Sequence, residues 1–335
     1  MRHTTRMYVA WACVLSALLA GVAAQAEDAV LKESASGKNR RAFQFHYTAF
    51  VKEIPKDSKK VELWLPVPQS DAMQSIENLR FIAPFPPEVN VEPNAGNKIA
   101  YWKLEDKAVG TFAVTMVFEA KRKETSGRLE KAGALTKEEE QALAPYLKPN
   151  RLVPVGEEVK ELTAKAVGEV KSPLEVSKAA YEYVFENMRY DKPPGKGWGQ
   201  GSTKWACDEK YGNCTDFHAL FMSIGRSKGI PVKFEMGFSI PKGAWGIVAG
   251  YHCWAKFYQP AAGWVPVDIS DAWRNKEKEY YYGHLTADRV HFSTGRDLDL
   301  VPKQAGEPLN FFIYPYAEAD GKAFPVERAF SYQQL

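Results

Sequence analysis

Cys214 stands where a helical pattern begins. Asn213-Cys214-Thr215 runs directly into apolar residues at helical spacing, Phe217, Leu220, Phe221 and Ile224, and the pattern stops at Gly229 ahead of Pro231. A cysteine in the first turn of a helix meets unpaired backbone N–H groups and the positive end of the helix dipole, and both favour thiolate over thiol. A thiolate becomes a useful nucleophile when a base lies within hydrogen-bond reach and a third group fixes the tautomer of that base. His252 and Asp268 meet this need by parity. They flank the turn Pro260-Ala261-Ala262-Gly263 in the runs GYHCWAKFYQP and GWVPVDIS, which read as two strands of a hairpin. An even separation across a turn centred near 261–262 places both side chains on one face as a cross-strand or diagonal pair. Trp254 and Lys256 would share that face, with Cys253 and Ala255 on the other. Singly, these residues read as a helix-start cysteine, a strand histidine and a strand-end carboxylate; together they form the set that amide chemistry requires.

The elements that position them follow from a change of period along the chain. From residue 41 to 120 aromatic and β-branched residues alternate in FQFHYTAFV, KVELWLPVP, LRFIAPF, KIAYWKL and GTFAVTMVFEA, with Pro, Gly and Asn clusters between them. This predicts a small antiparallel β-sandwich. A charged connector with one short helix covers 121–155. From 156 to the end the period becomes that of helices and then of strands again: GEEVKELTAKAVGEV and SPLEVSKAAYEYVFENM read as helices, the second opening on Ser172 and Pro173. The order of helices, nucleophile helix and antiparallel sheet is α+β. The glycine-rich loop PPGKGWGQGS lacks the Gly-Lys-Ser/Thr ending of a phosphate-binding loop, so it reads as a loop lying against a cleft.

At the amino terminus, Arg2 and Arg6 precede an apolar run over about 8–23 that ends in Ala24-Gln25-Ala26. This has the form of a secretory signal peptide over residues 1–26, too short to serve as a bilayer span, and predicts a periplasmic or secreted protein with no stable membrane insertion after cleavage. The net charge is +3, or about +1 without Arg2 and Arg6, which offers no field for nucleic acid. Without Cys13, three of the four cysteines remain, Cys207, Cys214 and Cys253. An odd count in an oxidising compartment leaves a free thiol, and the simplest arithmetic is a Cys207–Cys253 disulfide with Cys214 free.

The run GNCTDFHALF with GIP behind it, then YHCWAKFY, then GWVPVD, resembles the core of the transglutaminase-like superfamily. Three separate motifs match in order across residues 181–273, and the tail YYGHLTADRVHFSTGRDLDLVPKQ with PLNFFIYPY resembles bacterial exported members. The resemblance implies a papain-like core with a Cys-His-Asp triad, and it assigns Cys214 as nucleophile, His252 as base and Asp268 as orienting carboxylate, as the hairpin parity does independently. It implies attack on a protein or peptide amide, possession of a thioester intermediate, and no cofactor. It also implies an oxyanion donor upstream of the nucleophile, for which Gln200, Trp198 and Trp205 are the candidates. A structural zinc site is the chemical rival, since Cys207, Cys214, His218, His252 and Cys253 lie in a short span, but no Cys-x-x-Cys or His-x-x-x-His pair supports it, so no metal is expected. A non-catalytic binding module of the same fold, recognising envelope protein or glycan, is the alternative from a different class; a free thiol in an oxidising compartment argues for the enzyme. Trp245, Trp273, Arg289, Arg296 and Asp297 read as packing and surface residues.

Overall fold

A computed structural model describes residues 39–105, 110–129 and 133–335; the expected signal peptide lies outside them. Along the chain come β1 (Arg40–Val51), β2 (Lys60–Val67), β3 (Gln74–Ile82), β4 (Glu88–Val91), β5 (Lys98–Glu105) and β6 (Phe112–Lys123). The helices α1 (Lys137–Leu143), α2 (Lys160–Val167), α3 (Pro173–Asn187), α4 (Thr203–Glu209) and α5 (Cys214–Ser227) follow. Then come β7 (Val232–Ser239), β8 (Trp245–Ile247), β9 (Tyr251–Gln259), β10 (Gly263–Val267), α6 (Ile269–Asn275), β11 (Arg289–Thr294), β12 (Tyr316–Ala319), β13 (Lys322–Ala323) and β14 (Glu327–Gln334). The protein is α+β, with antiparallel sheets. Among the described residues no helix is long and apolar enough to cross a membrane.

The amino-terminal strands build two five-stranded sheets, in the orders β8-β14-β1-β6-β3 and β13-β12-β2-β5-β4. Neither is made of residues 41–120 alone. The strands over 316–334, read from the sequence as part of the carboxy-terminal unit, pair with β1 and β2, Tyr47 opposite Phe330 and Trp64 opposite Tyr316. Sheet composition is set by which edges are free to pair, and alternation within one strand carries no record of its partner. In β1 every second residue, Phe43, Phe45, Tyr47, Ala49 and Val51, is fully buried.

The site is carried by a separate four-stranded sheet, β10-β9-β7-β11. Helix α5 is buried along its length, from Cys214 to Arg226, and packs on β9, where Phe221 meets Phe257 with ring centroids 6.5 Å apart. The sheet also packs on the sandwich: Phe238 of β7 lies 5.2 Å from Phe45, 4.5 Å from Phe330 and 5.2 Å from Phe292 of β11. Aromatic pairs at these spacings contribute beyond their area burial. One continuous apolar core therefore runs from the sandwich through the sheet to α5.

Hairpin β9–β10 closes with Gln259 opposite Gly263 and Ala255 opposite Val267. Ala261 takes φ 61° in its three-residue loop. Opposite His252 on the other side of β9 stands Gly237, next to a register shift in the β7–β11 pairing. A Cβ on Gly237 would overlap the backbone carbonyl oxygen of Val290 and lie 2.9 Å from the Trp254 indole. Gly237→Ala should therefore cost about 2 kcal/mol or more, because the obstructing atom is backbone and cannot rotate aside. A denaturant midpoint equal to that of the wild type would contradict this close approach.

Candidate active site

The start of α5 is fixed by a reciprocal cap. Asn213 accepts from the N–H of Thr215 at 3.0 Å, and the Asp216 carboxylate accepts from the N–H of Asn213 at 2.9 Å. This capping box holds Cys214 as the first helical residue, where its N–H has no carbonyl one turn back to bond. Asp216 also accepts from the N–H of Gly201 at 2.9 Å. A Cβ at Gly199 or Gly212 would collide with that same carboxylate. The glycine-rich loop is thus close-packed over the cap, and its small residues are what admit Asp216.

His252 comes from β9 and is 3% exposed. Its Nε2 donates to Asp268 Oδ2 at 2.7 Å and has Asp271 Oδ2 at 3.4 Å. That leaves Nδ1 as the ring nitrogen available to the Cys214 sulfur, with which His252 shares a side-chain hydrogen bond. Asp268 is itself the N-cap of α6: its Oδ1 accepts from the N–H of Asp271 at 3.0 Å and from the Ser270 hydroxyl at 2.9 Å. With Ala255 opposite Val267, position 268 falls across from 254, so Asp268 is the diagonal neighbour of His252.

Burial by itself would push the Cys214 thiol up, but hydrogen bonds from the Cys253 side chain and N–H, together with His252, bring it down to about 6. Burial likewise pulls His252 down, and the carboxylates of Asp268 and Asp271 outweigh it, holding the imidazolium well above its ordinary range. Asp268 is held well below the carboxylate range by His252 and Arg289 against the cost of its burial. These shifts favour the thiolate of Cys214, the imidazolium of His252 and the ionised carboxylate of Asp268.

Two sequence expectations change here. Cys207, Cys214 and Cys253 are all free thiols, so the disulfide between Cys207 and Cys253 does not form. Cys253 points from β9 onto α5, beside Cys214 and 3.6 Å from His218 Nδ1, whereas Cys207 lies half-buried on α4 near Tyr183. Cys253 also reaches the nucleophile from the strand face opposite to that assigned to His252. Finally, Arg289, read as a packing residue, is buried and donates to Asp268 Oδ2 at 2.9 Å.

Of the oxyanion candidates, Trp205 has its indole N–H committed to the carbonyl of Tyr211 at 3.1 Å. Trp198 is half-exposed with its ring 5.6 Å from Tyr190, and the backbone carbonyl of Gln200 is held by Asn310 at 2.6 Å. Tyr190 and Tyr251 both lie close enough to interact electrostatically with Cys214. Tyr251 also accepts from Asn213 at 3.2 Å. His252, Asp268 and Asp271 place potential metal ligands within 4.8 Å of one another. A cation of the chain's own already occupies that ground, because Arg289 contacts both carboxylates.

Residues 160–269, the span holding all three groups, match the family model described as the transglutaminase-like superfamily. The chain carries a transglutaminase-like core. An uncharacterized protein of Haemophilus influenzae is 29% identical over 314 residues, covering 80% of this chain and 83% of that protein. A solved structure from Cytophaga hutchinsonii, provisionally described as a cysteine protease, aligns with a TM-score of 0.58 at 16% identity over 89% of this chain and 99% of that one. At that identity the likeness speaks for the fold. The periplasmic domain of TgpA from Pseudomonas aeruginosa aligns with a TM-score of 0.34 at 13% identity, over 77% of this chain and 94% of that domain. The loop 193–201 packs over the cap of α5, the start of α6 supplies the carboxylates and β11 supplies the guanidinium.

The ionisation of Cys214 can be read directly. The rate of its alkylation by iodoacetamide should rise through an inflection near pH 6. In His252→Ala the inflection should move up by about two units or more, since burial remains and the compensating cation is gone. An inflection in the ordinary thiol range for the wild type would contradict the ion pair.

Proposed function

We propose that the protein is a cysteine-dependent enzyme acting on protein or peptide amides through Cys214, His252 and Asp268. The observation that carries this reading is the buried sulfur at a helix N-terminus facing an imidazole whose far nitrogen is fixed by a buried carboxylate. A purely structural cysteine has no use for a partner that removes its proton at neutral pH.

In the first step the Cys214 sulfur forms a bond to the amide carbonyl carbon, and the carbonyl π pair moves onto oxygen. The resulting oxyanion is met by the N–H of Cys214, which the helix leaves unpaired, and by a second donor from Trp198 or Gln200. The C–N bond then breaks as His252 Nδ1 delivers its proton to the departing nitrogen, leaving a thioester and a neutral imidazole. Water or an amine, deprotonated by His252, attacks the thioester and expels the thiolate, which restores the ion pair. Water gives hydrolysis and an amine gives transfer; both use the same residues. Throughout, Asp268 holds Nε2 protonated and so directs Nδ1 at the sulfur. Export to the periplasm or medium, with envelope protein or peptide as substrate, fits the character of residues 1–26.

Trapping the acyl-enzyme tests the mechanism and the substrate together. Extracts of candidate peptides and proteins incubated with the purified chain should yield a thioester on Cys214, cleaved by hydroxylamine and identified by mass. Cys214→Ala should stay folded and lose amide-cleaving or amine-incorporating activity by about 10³-fold or more, with Asp268→Asn losing about 10²- to 10⁴-fold through the wrong tautomer. Activity surviving in Cys214→Ala would overturn the mechanism, and a wild type that never accumulates an acyl group would favour the binding module.

A further inference from the structure

Asp268 has four hydrogen-bond acceptor positions and all are taken. Oδ1 serves the cap of α6, while Oδ2 accepts from His252 at 2.7 Å and from Arg289 at 2.9 Å. Arg289 is 1% exposed on β11, its guanidinium stacked over the Trp254 ring at 5.0 Å. It donates also to Thr286 at 3.3 Å and lies 3.5 Å from Asp271 Oδ2. Asp271 Oδ2 is in turn 3.4 Å from His252 Nε2, and its Oδ1 meets Arg274 at 3.3 Å. The imidazole nitrogen thus faces two carboxylates, and both are contacted by one buried guanidinium.

We propose that Arg289 and Asp271 are a matched pair of positioning residues that set how tightly His252 holds its proton, a role that rests on the assignment of His252 as the base. A base flanked by two uncompensated carboxylates would bind its proton too firmly to release it to a leaving amine. Arg289 offsets that excess by contacting the same Oδ2 atoms of both carboxylates that face the imidazole. Asp271 keeps the guanidinium from offsetting it completely. With Cys214 as thiolate and His252 protonated, the negative charges of Cys214, Asp268 and Asp271 are matched by His252, Arg289 and Arg274.

The other titratable groups around His252 do not supply this balance. From α5, His218 is buried and pulled down to about 4, so it is neutral where the enzyme would work. From β9, burial pushes the Cys253 thiol well up. Tyr190, beside the site with Arg274 over its ring at 5.0 Å, is also pushed up by burial. Each keeps one charge state across the neutral range, which leaves Cys214 and His252 as the groups that titrate against the fixed charges of Asp268 and the two arginines.

The test uses the full chain in a Cys207→Ser background, with iodoacetamide alkylation followed by peptide mass mapping, which reads Cys214 separately from Cys253 and Cys13. The rate against pH has a lower inflection for the ion pair and an upper one where His252 loses its proton. Arg289→Met should raise the upper inflection by about one unit or more and shift the lower one up by less, because the site loses a cation. Asp271→Asn should move both in the opposite direction. Arg289→Lys keeps the charge and should leave both inflections close to the wild type. Folded Arg289→Met with wild-type inflections, or Arg289→Met and Asp271→Asn shifting in the same direction, would reduce Arg289 to packing. If Arg289→Met does not fold, Asp271→Asn decides, and an unmoved upper inflection overturns the balance. A wild type without any depressed lower inflection would instead count against the base assignment beneath the proposal.

Discussion

The structure turns on one buried carboxylate. Asp268 has no exposure to solvent, and stripping water from such a group costs several kcal/mol, about the stability of a small domain, unless donors replace the lost hydration. Four donors do so, contributed by His252, Arg289, Ser270 and the backbone of Asp271. Two of them come from the first turn of α6, whose N-terminus also favours negative charge. The carboxylate whose Oδ1 completes the cap of the helix therefore turns its Oδ2 to the histidine, and the ring cannot turn without leaving a buried charge short of a partner. Orientation of the base is a consequence of satisfying Asp268.

That constraint propagates outward through the sheet. Strand β9 is buried on both faces, with α5 against one and neighbouring strands binding both of its edges. Strand β7, its neighbour, sends Phe238 into the sandwich, where Phe45 and Phe330 receive it. Because Phe330 lies on a strand from the end of the chain, the last residues help to seat the sheet that carries His252. The sandwich is thus part of the support of the candidate site, joined to it by a shared core in place of a flexible linker.

How much of this could be read from the sequence depends on the range of the interaction. The hairpin was legible because parity and turn length are local: the pairing of Ala255 with Val267 puts Asp268 on the diagonal from His252. The helix start was legible for the same reason, since Asn213 and Asp216 are three residues apart. The counting of cysteines failed because it uses number and ignores place; Cys253 is held at the nucleophile and Cys207 elsewhere. The strands over 316–334 join β1 and β2 across almost the whole chain, and no periodicity names a partner at that distance. Arg289 was the instructive omission. A charged residue directly before the apolar pair Val290 and Phe292, in a strand with four of its six residues buried, needs a buried counter-charge, and that requirement was the available signal.

Two histidines at nearly equal burial show why partners decide the chemistry. His218 is one helical turn from Cys214 and would be the nearer base by sequence, while His252 is far along the chain. His218, however, is spent on the backbone: its Nδ1 donates to the Cys214 carbonyl at 2.7 Å, and its Nε2 accepts from the N–H of Ile269 at 3.2 Å. A ring that must accept an N–H cannot carry a second proton, so it is locked neutral and serves to tie the start of α5 to the start of α6. His252 meets carboxylates where His218 meets an N–H, and is driven the other way. The neutral ring fixes where the helix ends stand, and this in turn fixes the distance between the sulfur on one and the carboxylate on the other that the charged ring has to bridge.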